Sequence, residues 1–222
     1  IGCARQHTDN GVNFTLVLER VKQDVHLVPA RIGEGGAVGT DCGVTVFKLT
    51  EGLDEGPWLL RVPYIPSSPL TTGELTQQLT VIGKSALIKA LGEVEEGKEK
   101  LKAQEEEPDL KYAGKIDKSS ARIDFSLPKE KIFYKVLACN PSPMAWSEAK
   151  AAEKTTYVKF NRLGPRCDLP VQEPGSVSCF KGKAFVCCGD GWLELTEITP
   201  ASKKKMSGET WLRGIRGEAK FF

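Results

Sequence analysis

Residues Gly189 to Gly214 read GDGWLELTEITPASKKKMSGETWLRG. Trp192, Leu193, Leu195 and Ile198 alternate with polar residues, the pattern of a half-buried strand. Pro200 and Ala201 break that strand, and Lys203, Lys204 and Lys205 follow on a loop. Ser207 is placed to cap a short helix, with Glu209 in the first turn, where the helix dipole favours an anion, and Gly214 at the end. A strand, a three-lysine turn and a capped helix make a compact unit that presents cations at one rim. Such a turn has the charge to grip phosphates. The same charge also suits a plain solvated loop.

Working outward, 222 residues suffice for one large or two small domains. Apolar residues make up 40% and charged residues 27%, the balance of an ordinary globular chain. No apolar run approaches the roughly 20 residues that a membrane-spanning helix needs. No secretory pattern opens the sequence, and Ile1 rather than Met stands first, as in a processed or partial chain. The cysteine count is odd, at seven, and no Cys-x-x-Cys pair occurs. Cys187 and Cys188 are adjacent, so on a strand they point to opposite faces and do not chelate a metal together. Reduced, buried thiols and no metal site are expected.

Charge divides the chain. Residues 1–110 carry 11 Lys and Arg against 17 Asp and Glu, a net −6, and residues 111–222 carry 20 against 12, a net +8. A basic half attached to an acidic one is the footprint of a polyanion-binding module joined to something else.

In chain order, Phe14, Leu16 and Leu18 suggest a strand, and Gly33-Glu34-Gly35-Gly36 a turn that lacks nucleotide-fingerprint spacing. Val44, Val46 and Leu49 mark a strand. A second runs through Trp58, Leu60, Val62 and Tyr64, stopped by Pro63 and Pro66, and the two read as a hairpin or as sheet neighbours. Thr71 and Glu74 fit a capping box before a helix whose Leu75, Leu79, Ile82, Ala86, Leu87 and Leu91 form a core-facing stripe. Residues 93–110 are acidic and nearly free of large apolar groups, a solvated linker. Beyond it, Ser126 is the expected cap of a helix that Asn140-Pro141 stops. Short strands are expected around Val158 and Phe160, Val171, Val177 and Phe180, and Phe185–Cys188, a spacing that suggests a small barrel.

The order and wording of several segments resemble the methionyl-tRNA formyltransferases. In the second half the carriers are Tyr112-Ala113-x-Lys115-Ile116, Ala121-Arg122-Ile123-Asp124-Phe125-Ser126, Asn140-Pro141-x-Pro143-x-Ala145-Trp146, Pro174-Gly175-Ser176-Val177, and finally the Lys203-Lys204-x-Met206-Ser207 run. In the first half they are Gly43-Val44-Thr45 and Gly52-Leu53-Asp54-x-Gly56. Upstream the pattern departs from the family. Its Asn-x-His-x-Ser-Leu-Leu-Pro is matched only by Asp24-Val25-His26-Leu27-Val28-Pro29, with Asp for Asn and without the Ser-Leu-Leu, and residues 1–38 match poorly.

The resemblance implies a fold and a chemistry. The fold is an α/β remnant of a Rossmann-like formyltransferase domain at 1–92, a linker at 93–110, a mainly β, OB-like tRNA-binding barrel with short helices at 111–217, and a tail at 218–222. The implied activity is transfer of a formyl group from 10-formyltetrahydrofolate to the amino group of initiator Met-tRNA in translation initiation, without a metal. Asp54 and His26 would be catalytic, the carboxylate holding a histidine cation against the tetrahedral oxyanion. Lys203, Lys204, Lys205 and Arg122 would touch the tRNA backbone; Arg122 equally suits a structural ion pair with Asp124 or another acid. A monomer is implied, off the membrane, in the bacterial cytoplasm or in a mitochondrion or plastid. The alternative is a non-catalytic tRNA- or rRNA-binding or organellar ribosome-associated protein that kept the barrel and lost the active half. The hydrolase part of formyltetrahydrofolate dehydrogenase shares the layout, but the Lys-Lys-x-Met-Ser run argues against it.

Overall fold

The computed structural model describes residues 42–50, 56–104, 116–151, 154–164, 169–215 and 218–222, and the backbone of 3–6, 14–17 and 166–167. The chain divides into two compact units that meet in sequence at Ala113 and Gly114.

The first unit is a four-stranded sheet with one long helix. Its strands are β1 (Cys3–Gln6), β2 (Phe14–Val17), β3 (Cys42–Lys48) and β4 (Trp58–Tyr64), in that spatial order. Every pairing is antiparallel. The Rossmann-like arrangement that the resemblance implies is not seen in this sheet; β3 and β4 form a hairpin, one of the two expected arrangements, with Val44 opposite Val62 and Val46 opposite Leu60. Pro63 does not stop β4 but lies inside it, opposite Gly43. β4 ends the order of the sheet, where a residue without an N–H is tolerated.

Helix α1 (Thr72–Glu95) starts at the expected capping box. The Glu74 N–H donates to Thr71 Oγ1 at 3.2 Å, and the Thr71 N–H donates to Glu74 Oε2 at 2.8 Å. Leu79, Ala86 and Ala90 bury one face of α1 in a core with Cys42, Val44, Val46 and Leu59. The acidic linker is less free than its composition suggests. Glu93–Glu95 are still helical. Lys102 exchanges two backbone hydrogen bonds with Trp58, of 2.8 and 2.9 Å. Gln104 Nε2 donates to the Gly56 carbonyl at 2.8 Å.

The second unit holds α2 (Lys129–Cys139), β5 (Trp146–Ala151), β6 (Lys154–Arg162), β7 (Arg166–Cys167), β8 (Val177–Phe180), β9 (Lys183–Cys188), β10 (Gly191–Glu194), β11 (Glu197–Pro200), α3 (Gly208–Arg213) and β12 (Ala219–Phe221). The strands form two antiparallel sheets, β7-β10-β9-β8 and β11-β6-β5-β12. One core takes residues from both: Val186, Cys188 and Leu193 from the first, Val158, Phe160, Ile198 and Phe221 from the second. Among the described residues the two sheets do not close into one barrel; an isolated bridge joins Ser176 to Lys220. The expected single strand from Trp192 to Ile198 is two. The chain leaves one sheet at Glu194 and enters the other at Glu197. Leu195, buried between them, donates its N–H to the Ala184 carbonyl. Val171 lies outside the strands and is exposed. Cys187 and Cys188 do face opposite sides, in separate apolar clusters, and burial pushes the Cys188 thiol up to about 12.

Ser126 does not cap α2. Its hydroxyl donates to Asp124 Oδ1 at 2.6 Å, which holds that carboxylate below its usual range. The cap comes from a residue distant in sequence: Asp190 Oδ1 accepts the Lys129 N–H at 2.6 Å, at the positive end of the helix. Asp190→Ala should therefore cost about 1 kcal/mol of stability, in the usual range for a lost cap, while Ser126→Ala costs clearly less. Thermal unfolding of the two variants in parallel checks this; a larger loss from Ser126→Ala would show that the local residue matters more.

Candidate nucleic-acid interface

The lysine turn is built from both ends. The Ala201 N–H donates to the Tyr157 carbonyl at 2.7 Å, and the Lys203 N–H to the Pro200 carbonyl at 3.0 Å. Ile198 and Met206 exchange two backbone hydrogen bonds of 2.9 Å each, which close the loop at its base. Ser207 then caps α3 as expected, accepting the Thr210 N–H at 3.1 Å, and Gly214 ends it. Gly208 is required here. A Cβ on it would stand 2.4 Å from both Cβ and the carbonyl oxygen of Leu195, so only a bare backbone lets α3 start against that residue.

The turn therefore displays three exposed lysines on a fixed frame. Lys205 Nζ lies 2.9 Å from Glu197 Oε1, with both side chains well exposed. Such a pair is worth under about 1 kcal/mol and can be exchanged for a phosphate. Lys203 and Lys204 carry no ion pair among the described residues. Their positive charge is open to an anion.

Arg122 is occupied differently. Its Nη2 donates to the Phe222 carbonyl at 3.2 Å and lies 3.7 Å from Glu148 Oε2. Its guanidinium stands over the Trp146 ring, 5.7 Å from the centroid. The acid it meets is Glu148 rather than Asp124. Its own carbonyl accepts Lys135 Nζ at 2.6 Å, and burial pulls that ammonium below its ordinary pKa. Arg122 is thus tied into the fold while still partly exposed.

Sequence reasoning missed two aromatic residues between these cations. Trp146 and Tyr157 stack with centroids 4.7 Å apart and planes 24° from parallel. Trp146 Nε1 donates to the Lys118 carbonyl at 2.6 Å, and Lys118 Nζ stands 5.7 Å from the Tyr157 centroid. The Tyr157 hydroxyl is buried with no partner among the described residues. The Tyr157 carbonyl that anchors Ala201 thus connects the lysine turn to the stack and, over Trp146, to Arg122. The signal for Trp146 was its place at the end of the Asn-Pro-x-Pro-x-Ala-Trp run. Asp54 and His26, the catalytic candidates, lie outside the described residues. Among the described residues no cluster of His, Cys, Asp or Glu could hold a metal ion, and no helix is long and apolar enough to cross a membrane.

Residues 115–216 match the family described as formyl transferase, C-terminal domain. The chain is similar to the methionyl-tRNA formyltransferase of Brucella ovis, with 33% identity over 178 residues, 79% of this chain and 56% of that protein. It is also similar to the methionyl-tRNA formyltransferase of Bartonella henselae, with 34% identity over 182 residues, 82% of this chain and 58% of that protein. The chain thus spans little more than half the length of these relatives. Among solved structures, HypX from Aquifex aeolicus superposes with a TM-score of 0.60 at 20% identity, over 79% of this chain and 31% of that one, a likeness of fold.

Proposed function

The chain is a relative of the methionyl-tRNA formyltransferases and carries the formyl transferase C-terminal domain over residues 115–216, and on that premise we propose that its protein formylates initiator methionyl-tRNA. The observation that carries this reading is the extent of the similarity: about four fifths of the chain is aligned, and therefore both units contribute.

The methionyl amine attacks the formyl carbon of 10-formyltetrahydrofolate. The carbon–N10 bond breaks, the amine loses a proton, and tetrahydrofolate leaves with a proton on N10. Asp54, in Gly52-Leu53-Asp54-x-Gly56, supplies acid/base support, and His26 is the candidate cation beside the oxyanion. The second unit, read as a variant of the OB-like arrangement, holds the tRNA through the Lys203–Lys205 turn. Residues 1–92 act with the catalytic half, and 93–110 join it to the tRNA-holding part. The reading goes with a monomer in a bacterial-type cytoplasm.

A second reading has one sequence feature in its favour. Asp24 stands where the family has Asn, and the Ser-Leu-Leu after the histidine is missing. On that reading the chain binds tRNA without catalysing.

One assay separates the two. The 222-residue chain is given 10-formyltetrahydrofolate and charged initiator Met-tRNA, beside Asp54→Asn. Formyl transfer that drops by about 100-fold or more in Asp54→Asn supports the enzyme, since positioned acid/base groups contribute ~10²–10⁴. Absence of transfer by the unaltered chain, with salt-sensitive tRNA binding, supports the second reading.

A further inference from the structure

We propose that the solvent face of the β11-β6-β5-β12 sheet is a second RNA-contact surface, where an unpaired base stacks against the Trp146–Tyr157 column and the sugar–phosphate backbone crosses Lys159, Lys150 and Lys220. The proposal rests on the reading that the chain holds tRNA, and it adds a place and a mode of contact distinct from the lysine turn.

The face follows from strand alternation. Ser147 and Ala149 of β5, Val158 and Phe160 of β6, Ile198 of β11 and Phe221 of β12 point into the core. Their neighbours Trp146, Glu148, Lys150, Tyr157, Lys159 and Lys220 therefore point out. Lys150 and Lys220 are direct partners in the β5–β12 register. Like charges placed opposite each other destabilise a sheet. Lys220 is relieved by an ion pair with Glu173, but Lys150 and Lys159 have none among the described residues. Among the described residues the carboxylates that reach this face, Glu148, Glu197 and Glu173, already meet Arg122, Lys205 and Lys220. A polyanion would relieve the crowded lysines.

The aromatic column identifies the polyanion as nucleic acid. Two half-buried rings lie stacked on the outer face of the sheet, with Trp146 also packed against the core. Aromatic rings take unpaired bases of any identity. The Arg122 guanidinium over Trp146 extends the column, and guanidinium planes also stack on bases. A regular RNA duplex keeps its bases paired and stacked, so it would use the lysines and not the rings.

The test uses the full chain with two probes, an initiator methionine tRNA transcript and a 16-base-pair blunt RNA duplex, titrated across salt. Trp146→Leu should weaken tRNA binding roughly tenfold and leave duplex binding within twofold, while Trp146→Phe retains most of the affinity. Lys150→Gln with Lys220→Gln, both on the surface, should flatten the log–log salt slope by about 1–2 for both probes. If the Trp146 variants and the double lysine variant all bind tRNA within twofold of the parent with an unchanged slope, the surface is overturned. In that case a tRNA loss confined to the Lys203–Lys205 variants leaves the tRNA reading intact. If the unaltered chain does not bind the transcript, the underlying reading falls first.

Discussion

Phe160→Ala should lower the melting temperature of the second unit by roughly 10–20 °C, from a loss of about 3–5 kcal/mol. Phe160 is fully buried on β6. Its ring meets Phe125 edge-on at 5.8 Å and Phe221 at 5.2 Å, and Phe221 in turn stacks on Trp211 of α3 at 5.4 Å. The ring thus joins the chain before α2, the helix after the lysine turn and the last strand. Truncation opens a cavity among rings that cannot collapse into it without giving up their contacts with one another. A loss of that size is a large part of the 5–15 kcal/mol that holds a typical domain folded. Trp192 and Trp211 are both buried in this unit, so tryptophan fluorescence follows its melting. Phe180→Ala is the control: that ring is 38% exposed, and its loss should cost under about 1 kcal/mol. A Phe160→Ala chain that melts within 2 °C of the parent would remove the aromatic cluster from its central place in the core.

Legibility from sequence followed the range of the interaction. The Thr71 capping box and the Ser207 cap were readable because cap and helix lie within four residues. The cap of α2 was not, because Asp190 lies 61 residues from the Lys129 N–H it receives. Strand β5 was also missed. Its Trp-Ser-Glu-Ala-Lys-Ala has no β-branched residue, and small residues fill its inner face. Ala149 stands in register with Phe221, whose ring takes the space that a larger side chain would need. The chain's path from one sheet to the other shows in the sequence only as a break in the alternation, two polar residues, Thr196 and Glu197, between Leu195 and Ile198. For the site, the lysine turn was visible as charge. The partners of Arg122 were not, being Glu148 and the Phe222 carbonyl, 26 and 100 residues away. Asp54 and His26 rest on family resemblance, since a lone Asp in a glycine-flanked turn reads as a turn residue.

Neutralising the lysine turn, as Lys203→Gln, Lys204→Gln and Lys205→Gln together, should reduce the salt slope of tRNA binding by about 2–3 and weaken affinity at low salt by about tenfold or more. Lys203 and Lys204 already face water with no ion pair among the described residues, so their replacement costs no internal contact. Lys205 would give up its exposed Glu197 partner, a small loss. The fold should therefore be unaffected, with stability within about 0.5 kcal/mol of the parent. The loop's shape is set by backbone hydrogen bonds from Ala201, Lys203 and Met206 and by the seat of Gly208 on Leu195, which glutamine side chains leave in place. A loss of binding would then be a loss of charge at a defined place. Lys205→Gln alone should have the least effect of the three, because Glu197 already offsets its charge; the carboxylate that it frees repels phosphates only if they run past β11. A single Lys205→Gln that hurts more than Lys203→Gln or Lys204→Gln would therefore place the RNA backbone along β11, on the side where Tyr157 and Trp146 stand. An unchanged slope in the triple variant would instead exclude the turn as a phosphate contact.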